Sequence, residues 1–190
     1  MPLAEGLFTV DGLPAHPLLV DAVAVLLPLA ALCSVGLAVH RKLRRRFGWP
    51  VLALTFVAVL AVPLAQVTGR QLRDHLGGKP DAVLLRHEQL GGELLPYALG
   101  FGVAVVFLLV AGRLADRERA AAIRVAHERA NADAVLNPPQ GDEPQRPPTT
   151  WRRLSVFASV LVVAMAVVTT VEVVRIGTTG AQSVWQGSNH

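Results

Sequence analysis

The sequence predicts an all-α membrane protein, a four-helix transmembrane bundle with a helical cytoplasmic extension of the third helix. Three observations predict this fold class. The 190 residues are 52% hydrophobic with a positive mean hydropathy, which exceeds what the core of a soluble domain needs. Four apolar runs each approach the roughly 20 residues that cross a bilayer core of about 30 Å. None of these runs alternates with a period of two, so helices are expected instead of barrel strands.

The four predicted spans are separated by polar connections. The spans are Pro17–Val39, Val51–Thr68, Leu94–Gly112 and Leu154–Val174. A turn at Gly48-Trp49-Pro50 is expected just before the second span. Pro28, Pro63 and Pro96 fall inside spans, where helices in a bilayer tolerate proline as a kink.

The third connection divides into two parts. From Arg113 to about Ala134 it is rich in Ala, Arg and Glu, which favours a helix of about six turns continuing the third span. The stretch Asn137–Pro148 is Pro-rich with almost nothing to bury, so we expect a disordered linker. Five segments result: an extracytoplasmic segment 1–16, three spans within 17–113, the cytoplasmic helix and linker within 114–153, the fourth span at 154–175, and an extracytoplasmic tail at 176–190.

The positions of lysine and arginine predict the orientation, because such residues accumulate in cytoplasmic connections. The first connection has no acid and five bases, namely Arg41, Lys42, Arg44, Arg45 and Arg46. Arginines also stand at both ends of the third connection, whereas the chain before Ala15 has no base. We therefore expect a multi-pass protein of the plasma (inner) membrane with both termini extracytoplasmic.

Polar side chains at the extracytoplasmic ends of the spans are the candidate site residues. Ionisable groups at membrane depth are costly and therefore indicate function. His16 and His87, before the first and third spans, are candidate cofactor ligands. A possible intramembrane polar cluster consists of Asp21, Gln66, Thr68, Arg70, Glu172 and Arg175. The structural alternative is that the two carboxylates form ion pairs with the arginines at the span ends.

The sequence lacks the motifs of several protein classes. There is no Gly-rich phosphate loop, HExxH, CxxC or GxSxG, so nucleotide binding, zincin chemistry and serine hydrolysis lack their minimum parts. Basic residues are not interleaved with aromatic ones, so no nucleic-acid partner is expected. The lone Cys33 excludes an intrachain disulfide. These absences favour a protein that is not an enzyme.

Several stretches of the chain resemble the DUF2231 family of small bacterial membrane proteins. The stretches are Gly12–Val20, Leu26–Ala30, Val67–Gly69, His87, and Arg175–Ala181 with Trp185. The resemblance implies a four-helix membrane domain with outward-facing histidines. Some members carry this domain beside a Rieske iron–sulfur domain, which implies electron transfer. Where the family often has histidine, this chain has Asp21 and Thr178.

Three functions are compatible with the sequence. The first is a non-catalytic partner-binding or scaffold subunit that uses the cytoplasmic helix. The second is an electron-transfer subunit holding haem b between His16 and His87. The third is an ion or proton pathway through an oligomer, with Asp21, Glu172 and His87 as relay groups. Besides the lipid bilayer, another membrane or redox protein is the expected partner, and the sequence leaves the oligomeric state open.

Overall fold

Four long helices make up the protein in the computed structural model, which describes residues 9–10, 12–77, 82–136 and 150–186. The helices are α1 (Ala15–Val39), α2 (Arg41–Leu76), α3 (Ala82–Leu136) and α4 (Thr150–Gln186). Each is long and apolar enough to cross a membrane. The predicted all-α fold class with four membrane-spanning helices is therefore confirmed.

The helices run alternately up and down around a common axis. α1 packs against α2 and α4, α3 packs against the same two helices, and the diagonal pairs α1–α3 and α2–α4 hardly touch. This order brings His16 and His87 to one end, which we call the histidine end. The segment Arg41–Arg46 lies at the opposite end, the basic end, where it meets the part of α3 that follows its apolar span.

The outward faces of the bundle are apolar, as lipid contact requires. Val25, Leu32 and Val103 are 62%, 71% and 68% exposed although they lie in the middle of their helices. Inside, bulky side chains such as Phe101 and Leu27 are fully buried. They are surrounded by alanines, the kind of small residue that lets membrane helices approach closely.

A short antiparallel pair of strands precedes α1. β1 (Thr9–Val10) pairs with β2 (Leu13–Pro14), and Gly12 between them has a φ of +79°, a conformation that glycine adopts without steric cost. The chain therefore turns sharply just before His16 enters the first turn of α1.

The connection between α1 and α2 differs from the sequence prediction. Only His40 interrupts the helices, and α2 continues through Gly48-Trp49-Pro50, so the predicted turn is wrong. Gly48 is buried, and a Cβ atom there would lie 3.1 Å from Leu109 Cδ2, so this glycine permits close packing of α2 on α3. Proline inside a membrane helix is tolerated because neighbouring groups satisfy the carbonyl that it leaves free.

The helices also extend further than predicted at the histidine end. α2 continues to Leu76, where Gly77 ends it with a φ of +63° and its N–H donates to Arg73 O at 3.3 Å. α3 already begins at Ala82, so His87 lies on a helix and not in a loop. α4 continues to Gln186, so the segment after residue 175 is helical up to that point.

The predicted helical extension of α3 is confirmed, since α3 runs to Leu136. Residues 119–125 of this extension are exposed. The predicted linker Asn137–Pro148 lies outside the described residues. At the start of the extension, Asp116 accepts from Arg41 Nε at 2.5 Å and lies 3.6 Å from Arg45 Nε. This carboxylate connects α2 with α3 and offsets part of the positive charge at the basic end.

Candidate functional site

A cavity of about 360 Å³ lies between the four helices at the histidine end. This volume falls within the range of about 300 to 1,000 Å³ that is usual for small-molecule sites. Each helix contributes aliphatic side chains to the walls, among them Val20, Val62, Leu94 and Val173. The rim includes exposed residues, so the cavity reaches the surface of the protein.

His16 borders this cavity from the first turn of α1. Its Nδ1 lies 3.0 Å from the carbonyl oxygen of Ala65 on α2. Because a carbonyl oxygen can only accept, the proton of this hydrogen bond belongs to Nδ1. In the neutral ring, Nε2 then keeps its lone pair and can act as a ligand.

His87 borders the same cavity from the second turn of α3. Its Nδ1 lies 3.3 Å from Ile176 O and 3.4 Å from Thr179 Oγ1, both on α4. The Thr179 hydroxyl itself donates to Ile176 O at 2.9 Å, so its oxygen can accept from the imidazole. The proton again belongs to Nδ1, and Nε2 again has the lone pair.

A glycine packs against each imidazole ring. A Cβ atom at Gly69 would lie 2.8 Å from His16 Cε1, and one at Gly180 would lie 3.1 Å from His87 Cε1. In each case the glycine follows four residues after the carbonyl that binds Nδ1. A larger residue at either position would therefore require the ring to move, by more at Gly69 than at Gly180.

The two histidine sites therefore have the same construction. Thr68 Oγ1 donates to Ala65 O at 3.1 Å, as Thr179 Oγ1 does to Ile176 O. Each site thus joins a histidine on one helix to a carbonyl, a threonine and a glycine on the next helix along the chain. This repetition was not predicted from the sequence. The signal that could have revealed it is the dipeptide Thr-Gly, which occurs at the same end of α2 and of α4.

The two imidazoles face a common space from opposite sides of the bundle. His16 is on α1 and His87 is on α3, which are diagonal to one another, and both border the cavity. Among the described residues, no group of three or more His, Cys, Asp or Glu side chains could hold a bare metal ion. Two imidazoles from facing helices are instead the ligand set by which helical bundles hold haem.

Two members of the predicted polar cluster line the cavity. They are Gln66, whose Nε2 donates to Gly91 O at 2.7 Å, and Arg70, whose side chain is exposed at the rim. Thr68 is buried and takes part in the His16 site through Ala65. The predicted cluster therefore includes residues from both the wall and the rim of the cavity.

The other three members of the predicted polar cluster lie away from the cavity lining. Glu172 accepts a hydrogen bond from Arg175 Nη1 at 2.8 Å, so the expected ion pairing is confirmed for this carboxylate. Asp21 is exposed and makes no ion pair with any residue that the structure describes. The ion-pathway hypothesis stays a prediction.

An ion pair that was not predicted from the sequence crosses the rim of the cavity. Arg73 Nη1 on α2 lies 2.6 Å from Glu88 Oε1 on α3, and Arg73 Nη2 lies 3.3 Å from Asp74 Oδ1. Arg73 and Glu88 both line the cavity. Their partnership depends on how α2 and α3 pack, so the only signal in the sequence is the presence of opposite charges on either side of a connection.

Comparison with known proteins places the chain in one family. No curated protein and no solved structure matches it. Residues 12–137 match the family described as "Predicted membrane protein (DUF2231)". The matched range contains His16, Gly69 and His87, whereas α4 with Gly180 lies beyond it. The resemblance seen in the sequence is thereby confirmed, and the chain belongs to the DUF2231 family of predicted membrane proteins.

Proposed function

We propose that this protein is an electron-transfer membrane subunit that binds haem b between His16 and His87. One observation carries the proposal: two imidazoles, each anchored through Nδ1 by a backbone carbonyl, border one cavity from diagonal helices. A surface histidine needs no such anchoring. The duplicated construction argues that both rings are held for the same purpose.

The residues around the cavity fit haem b. A hydrogen bond from Nδ1–H to a carbonyl fixes the orientation of a ligating imidazole and raises its basicity, and it leaves Nε2 for the iron. Gly91, Gly92 and Gly177 also line the cavity, and none of them has a side chain that would fill it. When bound, haem supplies a one-electron carrier whose potential depends on its axial ligands and surroundings.

The surrounding side chains determine how polar the site is. The wall to which all four helices contribute is mostly aliphatic, so the inner part of the cavity is apolar. Glu88 and Arg73 neutralise one another at the rim, so their pair adds little net charge. Such surroundings favour the less charged state of an iron centre and therefore raise its reduction potential.

We further propose that the histidine end faces the extracytoplasmic side. Support comes from the positive-inside rule, since the five bases within Arg41–Arg46 at the start of α2, the α3 extension and the start of α4 lie toward the basic end. In this orientation, the haem site lies near the outer surface. A redox partner on that side of the membrane would be the electron donor or acceptor.

An absorption spectrum of the detergent-purified protein tests the proposal. The protein is expressed with ample haem, and its spectrum is recorded oxidised and then after reduction with dithionite. We expect a Soret band that shifts on reduction, with one iron per chain by metal analysis. His16→Ala and His87→Ala should each abolish the band or convert it to that of a five-coordinate haem.

His75→Ala is the matched control, because His75 is an exposed histidine on α2 at the same end that does not line the cavity. Its spectrum should equal that of the wild type. A protein that stays colourless after expression with ample haem and shows no Soret band when hemin is added would exclude haem binding.

Partner binding through the α3 extension is a second candidate function. The observation in its favour is that residues 119–125 are all exposed, including Ile123 and Val125 at 45% each. Deleting residues 120–148 should abolish co-purification of a partner and leave the haem spectrum unchanged. Unchanged co-purification would refute a role for this segment.

A further inference from the structure

We infer, building on the proposed function, that the group bound in this cavity carries a carboxylate that Arg70 binds at the rim. Haem b belongs to this ligand class, because its flat apolar body bears two acid side chains at one edge. The inference therefore predicts which way round the ligand lies: apolar body between the imidazoles, acid edge toward Arg70.

Arg70 is the cation at the rim without a carboxylate partner among the described residues. It lines the cavity and is exposed, and no ion pair joins it to a described carboxylate. Arg73, one turn further along α2, differs because Glu88 and Asp74 already occupy its guanidinium. The two arginines therefore have different roles, and Arg70 is the one available to a ligand.

The location of Arg70 relates it directly to the His16 site. It follows Gly69, the residue on which the His16 ring rests, so one turn of α2 contributes both the support of the imidazole and the cation. A ligand whose body contacts the imidazole is thus within the same small cavity as the guanidinium. One molecule with an apolar ring system and an acid group can therefore contact both the imidazole and the guanidinium.

Elementary electrostatics determines which end of the ligand lies at the rim. An ionised carboxylate inside the aliphatic part of the cavity would lose its hydration without gaining a partner, which strongly disfavours that orientation. At the rim it keeps contact with water and meets a guanidinium, whose planar N–H groups match a carboxylate in pairs.

A small inorganic anion fits the cavity less well than an amphipathic acid. Its binding would leave the walls formed by residues such as Val62, Leu94 and Val173 without contact. The lining therefore favours a ligand with a large apolar body and carboxylates at its edge.

The test compares two forms of one ligand that differ only in their acid groups. The full chain in detergent is titrated with iron protoporphyrin IX and, separately, with its dimethyl ester, while the Soret band is followed. We expect Arg70→Gln to weaken binding of the free acid by about tenfold, the effect of losing one charged hydrogen bond, and to leave binding of the ester unchanged. Arg70→Lys should lose less affinity, since it retains the charge.

Arg86→Gln is the matched control. Arg86 is an exposed arginine next to His87 at the same end, and it does not line the cavity. The control should bind both ligands as the wild type does. Higher salt should weaken binding of the free acid in the wild type more than in Arg70→Gln.

The outcomes separate this inference from the proposed function. Equal weakening of acid and ester by Arg70→Gln, or no weakening of either, would overturn the role of Arg70 and leave haem binding intact. A wild-type protein that binds neither ligand would overturn the proposed function and the inference with it. If Arg70→Gln weakens binding of the free acid alone, the result supports both the inference and the proposed function.

Discussion

Replacing Gly69 with alanine should damage the His16 site although the new methyl group is small. A Cβ atom at this position would lie 2.8 Å from His16 Cε1 and 3.2 Å from Nδ1. Ordinary contact begins at 3.4 Å, so the ring must move away from α2 by about 0.6 Å. The carbonyl of Ala65 is also on α2, so this movement stretches the 3.0 Å hydrogen bond by up to about 0.6 Å, toward a length at which it is no longer a hydrogen bond.

The expected loss of stability follows from three contributions. Losing the hydrogen bond costs about 1 kcal/mol. Overpacking a well-packed site costs about 1 to 3 kcal/mol. Replacing glycine by alanine inside a helix stabilises it by about 1 kcal/mol. The free energy of unfolding of Gly69→Ala should therefore fall by about 1 to 3 kcal/mol.

Gly100→Ala is a control with the same close approach. A Cβ atom at Gly100 would also lie 2.8 Å from its neighbour, but that neighbour is Cε of Met165, the flexible end of a side chain. The thioether can rotate away without losing a hydrogen bond. Gly100→Ala should therefore be as stable as the wild type or gain up to about 1 kcal/mol from helix propensity.

The assay is reversible unfolding of both variants in detergent, followed by far-ultraviolet circular dichroism. Nitrogen NMR of the histidine side chains gives a second measure, because the Nδ1–H form of His16 should lose its dominance in Gly69→Ala and persist in Gly100→Ala. Equal stability of the two variants, with His16 protonated on Nδ1 in both, would refute the idea that Gly69 is required by the imidazole.

Three further predictions concern other parts of the molecule. Gly180→Ala should lower the free energy of unfolding less than Gly69→Ala does, because the new Cβ atom would lie 3.1 Å from the His87 ring instead of 2.8 Å from the His16 ring. A larger loss of stability in Gly180→Ala than in Gly69→Ala would contradict this prediction. Asp116→Ala should cost about 1 kcal/mol at low salt and much less at about 1 M salt, because it removes ion pairs that are partly exposed; salt-independent unfolding would contradict it. The orientation can be tested with single cysteines in a chain whose Cys33 is changed to serine. A membrane-impermeant thiol reagent should react with Lys42→Cys only from the cytoplasmic side and with Gly92→Cys only from the outside. The reverse pattern would show that the proposed orientation is wrong.

The membrane determines which parts of the fold were predictable. The apolar runs identified all four spans because their outward faces must contact lipid along their whole length. The same environment explains why the prediction of a turn at Gly48-Trp49-Pro50 was wrong. Glycine and proline end helices in water, but in a bilayer an interrupted backbone would leave polar groups without partners, so α2 continues through them.

The candidate site was predictable only as a set of residues. His16, His87, Gln66 and Arg70 were recognised because polar groups near membrane depth are rare and costly, and all four line the cavity. Asp21 was recognised by the same rule, yet it lies on an exposed face of α1. A rule about depth in the membrane does not report which way a side chain faces around its helix.

By itself, the sequence determined that the chain forms four membrane-spanning helices, since hydropathy and length act within each segment. The tertiary structure decided that two histidines share one cavity. His16 meets a carbonyl 49 residues away and His87 meets one 89 residues away, and both pairings depend on how neighbouring helices pack. Such packing depends on side-chain shape across helices, including the two glycines that admit the imidazole rings, and no local pattern encodes it.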